Sequence, residues 1–161
     1  MTDDSKILPV HIPLNGLLDL ALDAMLAEFR SEIEKSEFGD IRPTHGCVFR
    51  YLREQGLRLT EMAERANMTK QSVGEVVDEL VERGYVERVP DPADRRAKLI
   101  RLTARGSEAQ AFGFRAFAEI EERWAERYGA ERIAGLRETL EAIAAVEAPF
   151  VVPEPATSGH A

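Results

Sequence analysis

Leu59 to Thr103 read LTEMAERANMTKQSVGEVVDELVERGYVERVPDPADRRAKLIRLT, and the spacing of apolar residues changes character inside that stretch. Thr60 suits a helix N-cap, with Met62, Ala63 and Ala66 following at helical spacing, which predicts a short helix. Asn67-Met68-Thr69 is a polar turn. Thr69 suits the cap of a second helix running from Lys70 to about Arg83, with Val73, Val76, Val77, Leu80 and Val81 as its buried stripe. Gly84 stops that helix, and the period then shortens to two. Tyr85-Val86-Glu87-Arg88-Val89 is rich in β-branched and aromatic residues and predicts a strand. Pro90 to Arg96 predicts a turn, its two prolines stopping the pairing, and Lys98 to Leu102 a return strand. The stretch is therefore two short helices joined by a tight turn, then a β-hairpin with a basic tip.

Helical spacing continues on both sides. Upstream, Leu14, Leu17, Leu18, Ala21, Leu22, Met25, Leu26, Phe29 and Ile33 predict one long amphipathic helix, broken by residues 37–42 with Gly39. Pro43 suits the first position of the next helix, whose apolar side is Cys47, Val48, Tyr51 and Leu52 and whose end falls at Gly56. Downstream, Thr103 caps a long helix facing inward with Ala109, Phe112, Ala116, Phe117, Ile120 and Trp124. Gly129 interrupts it, and Ile133, Leu136, Leu140, Ile143 and Ala144 mark a last helix ending at Pro149. The expected fold class is mainly α: a winged helix-turn-helix with a small β-hairpin wing and a helical dimerisation region. The expected parts are an N-terminal arm (1–13), a dimerisation helix (14–42), the winged helix-turn-helix (43–106), C-terminal dimerisation helices (107–148) and a flexible tail (149–161). A lone subunit would leave the apolar sides of the first and last helices uncovered, so a homodimer is expected.

Composition excludes several classes. At 44% hydrophobic residues the chain has matter for a core. No apolar run approaches the ~20 residues of a membrane helix, so no membrane partner is expected. Met1 to Lys6 is polar and acidic, which predicts no signal peptide and a cytoplasmic location. Cys47 is the single cysteine, and His11, His45 and His160 lie far apart, so no metal site is expected. With no Gly-rich phosphate loop and no nucleophile elbow, neither a cofactor nor an enzyme activity is expected.

The net charge of −8 argues at first against nucleic acid, but its distribution matters more. Between Arg58 and Arg101 nine basic residues meet nine acidic ones, so the whole excess lies elsewhere. A neutral head binds double-stranded DNA if its cations share one face. The N-terminal residues of a second helix of this kind meet base edges in a major groove: here Lys70, Gln71, Ser72 and Glu75. Lys can donate to guanine and Gln can pair with adenine. Thr69 can reach a phosphate besides capping. Arg95, Arg96 and Lys98 at the hairpin tip suit the backbone or a narrow minor groove, whose potential attracts arginine. The competing readings are a solvated loop tip for Arg95 and Arg96 and an ordinary helix surface for Lys70, Gln71 and Ser72.

Three stretches carry a resemblance: Leu59 to Ala66, Thr69 to Val73, and Leu80 to Arg88. Together with Asp91-Pro92-Ala93-Asp94-Arg95-Arg96-Ala97-Lys98-Leu99-Ile100-Arg101-Leu102-Thr103 they resemble MarR-family regulators. The resemblance is strong from Leu57 to Gly106. It implies an intertwined homodimer, each subunit presenting one winged helix to half of a near-palindromic site. It implies that Asp94 holds Arg96, which enters the minor groove. It also implies a repressor released by a small aromatic or acidic effector. His45, Phe49 and Phe112 are the candidates for an effector cleft, although His45 also reads as a partly exposed helix-start residue. Cys47 reads as a small buried hydrophobe rather than a redox sensor. The alternative function is a winged-helix ligand-binding or protein-interaction module that does not read DNA.

Overall fold

The computed structural model describes residues 11–147, so the first ten residues of the expected arm and the expected tail lie outside the described residues. The order is α1 (Leu14–Glu34), a 3-10 turn (Pro43–His45) running into α2 (Gly46–Tyr51), β1 (Leu57–Arg58), α3 (Leu59–Ala66), α4 (Lys70–Glu82), β2 (Val86–Asp91), β3 (Asp94–Leu102), α5 (Ala104–Tyr128) and α6 (Ala130–Glu147). The three strands form one antiparallel sheet in the order β1-β3-β2. Among the described residues no helix is long and apolar enough to cross a membrane.

The core lies where α2, α3, α4, the sheet and the start of α5 meet. Val48, Leu52, Met62, Val73, Val77 and Leu80 are completely buried, with Val86 and Ile100 closing the sheet side. Each such side chain contributes about 1.5–3 kcal/mol on leaving water. The α4 stripe thus packs as its spacing predicts, except that Val81 stays partly exposed. The α1 helix reaches α5 through Phe29 stacked on Phe117, with ring centroids 4.3 Å apart. Beside that pair, Trp124 Nε1 donates to Glu28 Oε1 at 2.8 Å and holds that carboxyl below its ordinary pKa.

Five local features depart from the sequence expectation or were not expected at all. Helix α2 ends at Tyr51, not at Gly56: Leu52 is already extended (ψ 137°). Side chains replace the glycine cap. Gln110 Nε2 donates to the carbonyls of Phe49 (2.6 Å) and Leu52 (3.0 Å), satisfying oxygens the helix leaves open. Gly56 does take a positive φ (+79°), but in the turn that delivers β1 under β3, where a Cβ would sit 2.7 Å from Arg101 Cγ. Second, Thr60 is not the cap of α3. Arg58 holds that position, and Glu61 Oε2 accepts its N–H at 3.2 Å. Third, β1 has only two residues, too short for any alternation to announce it.

Fourth, the hairpin pairs further than expected. Pro90 lies within β2, opposite Lys98. The strand is an edge, so the N–H that proline lacks costs no ladder bond. The turn shrinks to Pro92 and Ala93. Arg95 and Arg96 therefore stand in β3 rather than in a loop. The last helix also differs: of its expected inward face only Ile133 is partly covered, while Leu136, Leu140 and Ile143 are exposed.

Candidate nucleic-acid interface

The turn between α3 and α4 is closed by Asn67 in the left-handed conformation (φ 50°), one of the few side chains that adopt it at low cost. Thr69 then caps α4: its Oγ1 accepts the Ser72 N–H at 3.1 Å and lies 2.8 Å from Ser72 Oγ. Cap and turn present Thr69, Lys70, Gln71 and Glu75 to solvent and leave Ser72 half-buried. Gln71 Nε2 donates to Glu75 Oε1 at 3.3 Å, so these two share one face of the helix. The exposed first N–H groups of α4 add the partial positive charge of a helix start. Met68 stays 37% exposed beside the cap.

On the wing, Asp94 Oδ1 accepts the Arg96 N–H at 3.0 Å, the local bond of a turn-forming aspartate, and the two side chains form no ion pair with each other. The guanidinium is left for something else. The register explains why the segment needs holding. Asp91 pairs with Asp94 and Pro90 with Lys98, so Arg95, Arg96 and Ala97 have no counterpart on β2.

The charges are sorted. Arg88 pairs with Asp78 (2.7 Å), Arg58 with Asp91 (2.5 Å), and Arg83 with Asp40 (3.7 Å) and Glu79 (3.8 Å). Lys70, Arg95, Arg96 and Lys98 form no ion pair among the described residues. Cations without an ion pair thus stand at the start of α4 and on β3.

A polar network joins this head to the rest. The Tyr85 hydroxyl donates to Asp40 Oδ1 at 2.5 Å and accepts from Arg105 Nη2 at 3.0 Å, with the Arg105 guanidinium 4.5 Å above its ring. Burial, with Asp40 beside it, pushes the Tyr85 hydroxyl pKa up to about 12. Burial pulls the Asp40 carboxyl up, but the Tyr85 hydroxyl and Arg105 outweigh it and leave that pKa below its ordinary value. Sequence reasoning missed Asp40, Arg58 and Asp91. Asp91 reads in the sequence as a turn former before proline, and only its burial reveals a partner.

The effector candidates separate. His45 is fully buried and faces no cleft, nor is it partly exposed. Its Nδ1 accepts the Arg42 N–H at 3.0 Å, which leaves Nε2 to donate to Glu79 Oε2 at 3.1 Å. Phe49 packs edge-on against Tyr85 with centroids 6.0 Å apart. Phe112 alone lines an open depression, with Ser36, Glu37, Phe38, Glu108, Ala111 and Arg115. Cys47 is half-buried, its thiol donating to Thr44 O at 3.2 Å, and burial pushes its pKa up. No metal-holding cluster occurs among the described residues.

Burial holds the His45 pKa below its ordinary 6.5, and Glu79 opposes this only in part. An unfolded chain takes up that proton near 6.5 while the native ring refuses it. Stability is therefore full above that value and is lost as pH falls from it through the lower native pKa. Thermal melts from about pH 8 to about pH 5.5 should show the decline, and His45→Gln should flatten it. An equal decline in the variant excludes His45 as the source.

A tight helical turn, an exposed capped helix and a paired hairpin carrying free cations define a winged helix-turn-helix protein. Residues 40–97 match the model of the family described as MarR family, and that region belongs to the MarR family. The HTH-type transcriptional regulator PetP of Rhodobacter capsulatus is 30% identical over 118 residues, 69% of this chain and 66% of the relative. The chain thus spans about two thirds of that relative's length. The fold is shared with the reduced form of MarR from E. coli (TM-score 0.72, 21% identity, 83% of this chain and 97% of that one). It is shared too with the transcriptional repressor CouR bound to a 23-mer DNA duplex (TM-score 0.65, 23% identity, 82% and 92%).

Proposed function

We propose that the chain is a sequence-specific DNA-binding transcriptional regulator. It acts as a homodimer on a near-palindromic site and represses by occupying it. The observation that carries this reading is the sorting of charge: a chain of net charge −8 leaves Lys70, Arg95, Arg96 and Lys98 unneutralised on the two elements that meet DNA in this fold. The family of the head and the DNA duplex bound to CouR support it. In this reading Lys70, Gln71, Ser72 and Glu75 read base edges, Thr69 and Lys98 meet phosphates, and Arg95 and Arg96 enter the adjoining groove. Residues 43–106 form the reading unit, and the helices on either side form the dimer.

The test is fluorescence anisotropy of the full chain with fragments of its own upstream region, at two salt concentrations. Cations brought onto phosphates and into the adjoining grooves by two subunits displace counterions, so affinity should fall steeply between about 50 and 200 mM salt. Absence of binding to any fragment, and to a random-sequence pool at low salt, sinks the reading in favour of an interaction module.

Release follows from the depression beside Phe112. Its apolar wall (Phe38, Phe112) next to Arg115 suits a small aromatic carboxylate. Phe38 packs against Tyr85 with centroids 6.4 Å apart, so an occupant would press on the network that seats α4 against α5. Aromatic acids should shift the DNA-binding midpoint. A panel without effect removes the effector from the reading and leaves DNA binding standing.

A further inference from the structure

We propose that Arg58 and Asp91 are positioning residues for DNA binding: they hold the wing at the height where Arg96 meets DNA and do not themselves touch it. This rests on the DNA-reading function proposed above.

Strand pairing cannot fix the wing tip, because Arg95, Arg96 and Ala97 lack partners on β2. Two carboxylates do the work instead. Asp91 Oδ1 accepts the Ala93 N–H at 2.8 Å, and Asp94 Oδ1 accepts the Arg96 N–H at 3.0 Å. Both carboxylates converge on Arg58. Its Nε lies 2.7 Å and its Nη2 2.5 Å from Asp91 Oδ2, and its Nη2 lies 4.0 Å from Asp94 Oδ2. Asp91 is 6% exposed, so this ion pair is shielded on one side from competing water and salt.

Arg58 stands at the joint between wing and reading unit. Its backbone pairs with Leu99 on β3, and its N–H is capped by Glu61 of α3. One rigid path therefore runs from α4 through the turn and α3 to Arg58, then through Asp91 and Asp94 to the Arg96 backbone. The planar guanidinium fork suits two carboxylates in a way an ammonium does not.

Electrostatics and positioning predict opposite signs. Asp91→Asn removes a negative charge from the DNA face and frees Arg58, which by Coulomb attraction alone strengthens binding. If the pair positions the wing, the same change weakens it. The experiment is anisotropy with a fragment that the wild type binds, at fixed salt. It compares Arg96→Ala, Asp91→Asn, Arg58→Lys and the double variant Asp91→Asn with Arg96→Ala. Expected are losses of about tenfold for Arg96→Ala and for Asp91→Asn, with the double variant within about twofold of Asp91→Asn alone. Arg58→Lys keeps the charge but not the fork and should match Asp91→Asn. If Asp91→Asn melts far below the wild type, Arg58→Lys alone carries the comparison. Binding by Asp91→Asn as tight as or tighter than wild type overturns the proposal, and so do additive losses in the double variant. Both results leave the DNA-reading function intact. A wild type that binds no DNA overturns both.

Discussion

Gly106→Ala should destabilise the protein by about 3 kcal/mol, the upper end of the cost of forcing one extra methyl into a packed site. A Cβ at this position would lie 1.9 Å from the Tyr85 carbonyl oxygen and 2.9 Å from its carbon. The clash is with backbone, and that backbone cannot swing away. The same oxygen accepts the Thr103 N–H at 3.0 Å and the Thr103 hydroxyl at 3.1 Å. Thr103 Oγ1 in turn accepts the Gly106 N–H at 3.0 Å and caps α5. Relieving the contact therefore breaks the cap and the joint between β2 and α5 together. Helix propensity runs the other way, since alanine gains up to about 1 kcal/mol over glycine inside a helix. The clash wins because it has no soft partner to move. Urea unfolding checks this, with Gly46→Ala as comparison: a Cβ there meets nothing within 4 Å and the backbone is ordinary (φ −56°). Gly46→Ala should be neutral or stabilising. A Gly106→Ala protein as stable as wild type would show that the α5 start yields.

What the sequence announces and what it hides divide along a physical line. Regular elements with a strong period were legible: the Thr69 cap, the Val73–Val77–Leu80 stripe, the long helices and the change to period two at Tyr85. Local backbone chemistry fixes these within a few residues. The misreadings concern groups whose partners lie far away in the chain. Gln110 ends α2 from about 60 residues downstream, so no local signal marks the end at Tyr51. Pro90 reads as a strand breaker until the sheet order places it on an edge. His45 reads as a surface residue until Glu79, 34 positions on, supplies the acceptor that makes burial tolerable. The interface shows the same split. The exposed cations were legible as types in a pattern. That Arg58, Arg83 and Arg88 are neutralised while Lys70, Arg95 and Arg96 are not is a property of the folded chain alone.

Ile143→Glu should convert the protein to a monomer and cut its DNA affinity by about 10²- to 10⁴-fold. Within one subunit the substitution is harmless: Ile143 is 51% exposed, and changes at such positions usually stay within about 0.5 kcal/mol. Any large effect must therefore come from assembly. Leu136, Leu140 and Ile143 run along one side of α6, and Leu14, Leu18 and Leu22 along one side of α1, each between 40% and 69% exposed. A single exposed leucine is ordinary, but two such stripes are more apolar surface than a lone subunit keeps in water. In the homodimer proposed above a second copy supplies the missing cover, and a carboxylate placed there would be buried without a partner at a cost of several kcal/mol. The loss of affinity follows from linkage: with two heads joined, the second half-site is bound at a high effective concentration, which a monomer forfeits. Light scattering at micromolar concentration and anisotropy on one DNA fragment read the two effects separately. A dimeric Ile143→Glu protein would place the interface away from α6. A monomer that still binds as tightly as wild type would show that each head binds alone, and the near-palindromic site would lose its rationale.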